Sequence, residues 1–177
     1  MFSFTKTELP GVILVKLNPF IDERGFFCEV FRSENFIQAG LPPFVQENHS
    51  LSMKGTIRGL HFQTEPKAIG KLVRCVRGQI LDVAVDIRKD SPNYGKYFSM
   101  ILNASGFEML YIPPGFAHGF CAIKNSTEVM YKTTGYYSKE HDFGIRWNDP
   151  TINIKWPTDL KYIVSDKDSK APFLTEI

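Results

Sequence analysis

An all-β fold, built as a two-sheet sandwich or jelly roll with short peripheral helices, is the architecture this sequence predicts. The segment Ile80 to Ile87 alternates strictly: Leu81, Val83, Val85 and Ile87 share one side, and Asp82, Ala84, Asp86 and Arg88 share the other, which is the period of a β-strand. About ten short segments of strand character follow one another with Gly, Pro and Asn turns between them, and no repeat or low-complexity linker interrupts the series. The 15 phenylalanines and 11 prolines tilt composition the same way, toward strands, turns and an aromatic-lined interior.

The 177 residues suit one domain spanning 1–177 with a large core. Acidic and basic residues are interspersed and the net charge is only +2, so the broad basic face of a nucleic-acid binder is not expected. The opening MFSFTKTELPGVILV lacks the pattern of a secretory signal, and no segment approaches roughly 18 apolar residues. A cytoplasmic protein without membrane association is expected. Cys28, Cys75 and Cys121 are widely spaced, odd in number and set among apolar residues, which suits free packing thiols in a reducing compartment.

Val12 to Leu17 reads as an early strand, followed by Asn18-Pro19 and the polar turn Asp22-Glu23-Arg24-Gly25. From Gly25 to Phe31 the alternation places Phe27, Glu29 and Phe31 on one face of a strand. Arg24 and Glu29 either reach a ligand or are an ordinary turn arginine and a solvated glutamate. Ser33 to Ala39 reads as a short helix, with Ser33 as its cap, Phe36 and Ile37 as its apolar side and Gly40 at its C-terminal end. Val45 to Ser52 alternates again and gathers Gln46, Asn48 and Ser50 on one face. Such an amide face suits hydroxyls or a nucleobase edge, and strand-edge hydrogen bonding explains it equally well.

The stretch GTIRGLHFQTEPKAIGKLVR, from Gly55 to Arg74, brings Arg58, His61 and Lys71 close together in a chain with four histidines. An anion holder, a group that exchanges a proton near neutral pH and a fixed positive charge are the parts needed to bind a phosphorylated ligand and handle a proton on it. Arg58 and His61 have opposite parity on a strand, but a bulge at Gly59 would turn both into one cavity. Leu72 to Val76 and Ile80 to Ile87 read as strands of a hairpin turning at Arg77-Gly78-Gln79. Asp82 and Asp86 are candidate metal ligands or bases, but with Arg74, Arg77 and Arg88 nearby structural pairing is expected.

A loop over Lys89 to Gly95, a strand over Tyr97 to Leu102 and Glu108 to Pro113 lead into IPPGFAHGF, a tight turn feeding a strand with His118 pointing into whatever the sheets enclose. Val129 to Thr133 sets Val129, Tyr131 and Thr133 on one face, and a buried tyrosine hydroxyl needs a partner. A turn-rich tail with two tryptophans ends in Ser165-Asp166-Lys167-Asp168.

Those phrases, Asp22-Glu23-Arg24-Gly25 with Phe27 and Glu29, the Gln46/Asn48/Ser50 face, RGLHFQ, KLVR, DVAVDIR, IPPGFAHGF, MYKTTGYY, WNDP and SDKD, stand in the order and spacing of the dTDP-4-dehydrorhamnose 3,5-epimerase family, which nearly the whole chain resembles. The resemblance implies a cupin jelly roll, a homodimer, no metal or organic cofactor, and inversion of one or both carbons beside the C4 ketone of a 4-keto-6-deoxy sugar nucleotide. It implies His61 as base, Tyr131 as proton donor, Lys71 as enolate stabiliser and Asp168 as the carboxylate orienting the imidazole. Arg58 and His118 fall near the diphosphate or sugar, Gln46 and Asn48 along the ligand, and Tyr137, Asp142 and Lys167 at further contacts. Arg24, Phe27 and Glu29 resemble the residues that reach into the neighbouring subunit's site. Two positions depart from the pattern: Ile69 stands where glutamine is common, and Asp142 where glutamate is common.

Three other readings compete with this one. A metal-dependent cupin is suggested by Pro113-x-Gly115-x-x-His118, but His61 is followed by Phe62 and Gln63 and not by the rest of a metal-ligand set. A non-catalytic sugar nucleotide binder has no need of both His61 and Tyr131. A ketoisomerase would move the carbonyl instead of inverting a centre. His49, His141 and Cys75 are expected to be structural.

Overall fold

The structure, a computed structural model, describes residues 2–177. In chain order the strands and helices are β1 (Ser3–Lys6), β2 (Ile13–Lys16), β3 (Phe20–Asp22), β4 (Gly25–Phe27), α1 (Ser33–Gln38), β5 (Gln46–Ser52), β6 (Thr56–Gln63), β7 (Lys71–Arg77), β8 (Gln79–Asp86), β9 (Tyr97–Asn103), β10 (Glu108–Ile112), β11 (Phe116–Ala122), β12 (Thr127–Thr133), β13 (Asp142–Gly144), β14 (Ile163–Val164) and α2 (Asp166–Ser169). One sheet runs β1-β2-β10-β7-β12-β5 and the facing sheet β13-β6-β11-β8-β9, with β14 added in parallel to β6. This is the expected jelly roll with short peripheral helices.

Hydrophobic burial explains why two sheets need three apolar layers. Val73, Cys75, Ala84, Leu110 and Val129 fill the space between the sheets. On the outer side of the first sheet, Leu72, Met109 and Tyr111 pack under α1, whose Phe36 is buried among Phe2, Phe4, Phe31 and Phe44. A fully buried side chain of this size contributes roughly 1.5–3 kcal/mol. On the outer side of the second sheet, Val83 and Val85 lie under the tail residues Ile152, Ile154 and Trp156. The alternation along β8 is therefore as expected, but both of its faces are covered, because the tail supplies the outer layer.

Four local expectations are corrected. Arg77-Gly78-Gln79 does not close a hairpin: β7 pairs with β10 and β12, whereas β8 pairs with β11 and β9, so the chain steps from one sheet to the other at Gly78, whose φ of 78° suits glycine. The strand expected to reach Phe31 ends at Phe27 and pairs with β3 in a separate two-stranded hairpin. The N-cap of α1 is Arg32, without a side-chain cap, and Ser33 is the first helical residue. Asp86 pairs with Arg88 as expected, but Asp82 turns to His118 and not to an arginine, because it points inward between the sheets.

Gly59 sits in the bulge predicted for it. The β6–β11 register slips by one residue between the pairs His118↔His61 and Phe120↔Arg58. At Gly59 φ is +123°, and a Cβ there would lie 2.6 Å from Gly119 Cα and 2.7 Å from the His118 carbonyl oxygen, both rigid backbone. Gly59→Ala is accordingly expected to cost about 3 kcal/mol. Thermal unfolding of the variant checks this, and an unchanged midpoint would refute the close-approach argument.

Candidate active site

The bulge has a functional consequence: it turns both Arg58 and His61 into a cavity of about 740 Å³ between the sheets, within the roughly 300–1,000 Å³ of small-molecule sites. Eleven of the fourteen residues singled out from the sequence line it: Gln46, Asn48, Arg58, His61, Lys71, His118, Tyr131, Tyr137, Asp142, Lys167 and Asp168. Arg24, Phe27 and Glu29 do not. They belong to or follow the β3–β4 hairpin, where Phe27 is 71% exposed, Arg24 pairs with Asp22 and Glu29 with Arg32.

His61 and Asp168 are 107 residues apart and meet at 2.8 Å, imidazole Nε2 to carboxylate Oδ1. The tail makes this possible. Parallel pairing of β14 with Thr56 and Ile57 of β6 brings the chain alongside the strand that carries His61, and Ser165 then caps α2 by accepting the Asp168 N–H at 3.1 Å. Asp168 Oδ2 accepts the Gly59 N–H at 3.1 Å, so both oxygens are engaged. Burial alone would raise the Asp168 pKa, but the hydrogen bonds and charge of His61, with the Gly59 and Ser165 contacts, hold the carboxyl below its ordinary value. With Nε2–H donating to Asp168, the imidazole keeps Nδ1 as its lone-pair nitrogen.

Tyr131 comes from β12 of the opposite sheet and lines the same cavity as the imidazole. Burial raises its pKa, with Asp142 adding to the effect and Arg58 opposing it, so the phenol keeps its proton at neutral pH. Lys71, on β7, reaches across the gap and donates from Nζ to the His61 carbonyl oxygen at 3.2 Å. Its burial outweighs the attraction of Asp142 and Asp82 and brings its pKa down to about 8. His118 is buried and bonded to Asp82 at 2.8 Å, so it is both a satisfied interior histidine and a cavity wall.

The polar wall of β5 is as the alternation predicts. Gln46 donates to Asn48 Oδ1 at 3.0 Å and accepts the Tyr137 N–H at 3.2 Å. Arg58 is fixed by Ser52 Oγ and the Leu51 carbonyl, each at 3.0 Å. At the rim, Asp142 Oδ2 accepts from Lys167 at 2.5 Å and from the Tyr137 hydroxyl at 3.2 Å, tying β13, α2 and the segment before it into one clamp. Ile69 gives the cavity an apolar side chain where the resembling family commonly has an amide.

Sequence reasoning missed Phe62, Gln63, Phe120, Ile163 and Val164, which also line the cavity. Gln63 holds the wall, donating to the Lys67 carbonyl and accepting the Ser138 N–H. The RGLHFQ phrase contained its signal, but amide hydrogen bonds to distant loops leave no local trace. His49 pairs with Glu128 and His141 with Thr64, both away from the cavity lining. Among the described residues, no three or more His, Cys, Asp or Glu side chains cluster so as to hold a metal ion.

A cupin-type jelly roll with a cavity between its sheets, a histidine–carboxylate pair on one wall and a protonated tyrosine on the other suits proton transfer beside a carbonyl, the chemistry of an isomerase. Comparison makes the assignment narrower. The family model for dTDP-4-dehydrorhamnose 3,5-epimerase matches residues 6–176. The chain is 52% identical to the dTDP-4-dehydrorhamnose 3,5-epimerase of Shigella flexneri, covering 92% of this chain and 91% of that one. Among solved structures, the dTDP-6-deoxy-D-glucose-3,5-epimerase of Legionella pneumophila in complex with dTDP-4-keto-L-rhamnose has a TM-score of 0.96 at 37% identity, covering 100% of this chain and 95% of that one. The dTDP-4-dehydrorhamnose 3,5-epimerase of Bacillus anthracis with TDP and PPi bound has a TM-score of 0.94 at 43% identity, covering 98% and 99%. The chain belongs to the dTDP-4-dehydrorhamnose 3,5-epimerase family, and it is an isomerase.

Proposed function

We propose that the chain inverts C3 and C5 of dTDP-4-dehydro-6-deoxy-D-glucose to give dTDP-4-dehydro-L-rhamnose. The observation that carries this reading is the opposition of His61–Asp168 on one sheet to Tyr131 on the other. A carbon beside a ketone is acidic because its anion delocalises onto oxygen, and inversion needs removal of the proton from one face and return to the other. In this reading His61 Nδ1 removes the proton, Asp168 fixes the imidazole's tautomer and orientation, and Lys71 stabilises the enolate oxygen. Tyr131 returns a proton from the opposite face. Arg58 and His118 hold the diphosphate or sugar, Gln46 and Asn48 line the ligand's path, and the Tyr137–Asp142–Lys167 clamp meets its outer end.

Proton NMR of dTDP-4-keto-6-deoxyglucose in deuterated water, with no metal added, tests this. Deuterium at both C3 and C5 with an L-configured product is expected. Entry at one carbon alone would replace the reading by a mono-epimerase, and no exchange with any 4-keto sugar nucleotide would overturn it in favour of a binding protein.

Lys71 gives the reaction a basic limb. Its ammonium is present below about 8 and is lost above it, so turnover is expected to fall by about tenfold per pH unit on the alkaline side. Lys71→Met should lower turnover by about 10²–10³-fold and flatten that limb; a wild-type profile without an alkaline decline would remove Lys71 from the role.

The chain works as a cytoplasmic homodimer in the same reading, with Arg24, Phe27 and Glu29 completing the neighbour's cavity. In support, the β3–β4 hairpin exposes Phe20, Ile21, Phe26 and Phe27 together, an apolar patch of the kind that marks an association surface. Sedimentation should give twice the monomer mass, and Arg24→Ala should raise KM in a dimer that stays intact; a monomer active at high dilution would contradict it.

A further inference from the structure

A second histidine–carboxylate pair sits beside the first. His118 on β11 is the register partner of His61 on β6, and its Nε2 lies 2.8 Å from Asp82 Oδ1. Asp82 is fully buried on β8 and forms no part of the cavity lining. Its other oxygen, Oδ2, is buried without a hydrogen-bond partner. An acceptor left unpaired in a closed interior calls for an explanation, and the mechanism above uses only His118, never Asp82.

The charged groups acting on His118 are Asp82 from β8, Lys71 from β7 and His61 from β6, and Arg58 from β6, Tyr131 from β12 and Asp168 from α2 line the same cavity. Burial lowers the His118 pKa, Asp82 counters it, and Lys71 and His61 lower it further, so these protein groups together favour the neutral ring. A neutral ring that donates Nε2–H to Asp82 has only the Nδ1 lone pair left for the cavity, and a lone pair repels an anionic oxygen. A diphosphate entering beside Arg58 and His118 reverses the balance. Its negative charge offsets the cations that oppose the imidazolium, and a protonated Nδ1 becomes a charge-assisted donor to it. Asp82 is then the counter-charge behind the ring.

We propose that His118 takes up one proton from solvent when the diphosphate of a sugar nucleotide enters the cavity, with Asp82 as the positioning residue that makes the uptake possible. The proton bonds to Nδ1, Nε2–H stays on Asp82, and no other bond changes. This rests on the sugar nucleotide reading above.

The test is titration calorimetry with dTDP-glucose, whose diphosphate does not titrate near neutrality, in buffers of different ionisation enthalpy at about pH 7. Wild type is expected to take up close to one proton per site, and the Nδ1 resonance of His118 in ¹⁵N spectra should move to the protonated position on binding. Asp82→Asn keeps an acceptor oxygen but not the charge: uptake should vanish and affinity should fall about tenfold. If that variant does not fold, His118→Asn should abolish uptake in its place. Binding without uptake in wild type overturns the inference and leaves the epimerase reading standing. Uptake that survives either substitution overturns it too, because the proton then goes elsewhere, His61 included. Failure of every sugar nucleotide to bind would overturn both.

Discussion

His61→Ala is expected to abolish deuterium incorporation from solvent and to lower turnover by about 10²–10⁴-fold, the range of a lost general base. The imidazole lines the cavity with Nδ1 left as its lone-pair nitrogen, and the contacts behind it hold it in place: Asp168 at 2.8 Å, itself held by the Gly59 N–H and the Ser165 cap. Folding should change little, since His61 lies on the cavity wall and is not among the buried core residues. Asp168→Asn should give a smaller loss, because the ring remains while its orienting charge is gone. Single-turnover exchange followed by NMR checks both. Full exchange in His61→Ala would take the residue out of the mechanism.

For Tyr131→Phe the expectation is different in kind. Removing one hydroxyl from the opposite sheet should lower product formation by about 10²–10³-fold while wash-in of deuterium at the acidic carbons continues, since abstraction precedes donation. Burial keeps the phenol protonated, so its loss should show as a partition between exchange and inversion and not as a shifted pH optimum. Measuring exchange and epimerised product in the same sample decides the matter. Equal losses of both would show that Tyr131 also helps remove the proton.

Much of this site was legible in the sequence because strands carry side chains to alternate faces. Gln46, Asn48 and Ser50 declared their common wall by parity alone, and Arg58 and His61 did so once Gly59 was allowed to bulge. The hairpin expected at Gly78 fails for a reason parity cannot express. A tight turn looks the same whether the next strand pairs with the last or crosses to the facing sheet, and long-range partners decide which. Asp82 illustrates the same limit. Nearby arginines in sequence suggested its partner, yet its inward parity handed it to His118, a residue on the neighbouring strand.

By itself, then, the chain determined the strand alternation, the apolar composition of the sheets, the bulge glycine and the residue types of the cavity, because each depends on local geometry or on identities within a few positions. Only the tertiary structure decided that Asp168 meets His61, that Tyr131 faces it from the other sheet and that the tail covers β8. The same structure decided that Arg24, Phe27 and Glu29 stand outside this chain's own cavity. Each of these is a pairing between segments far apart in sequence, selected by the burial of apolar faces against one another, and no window along the chain contains both partners.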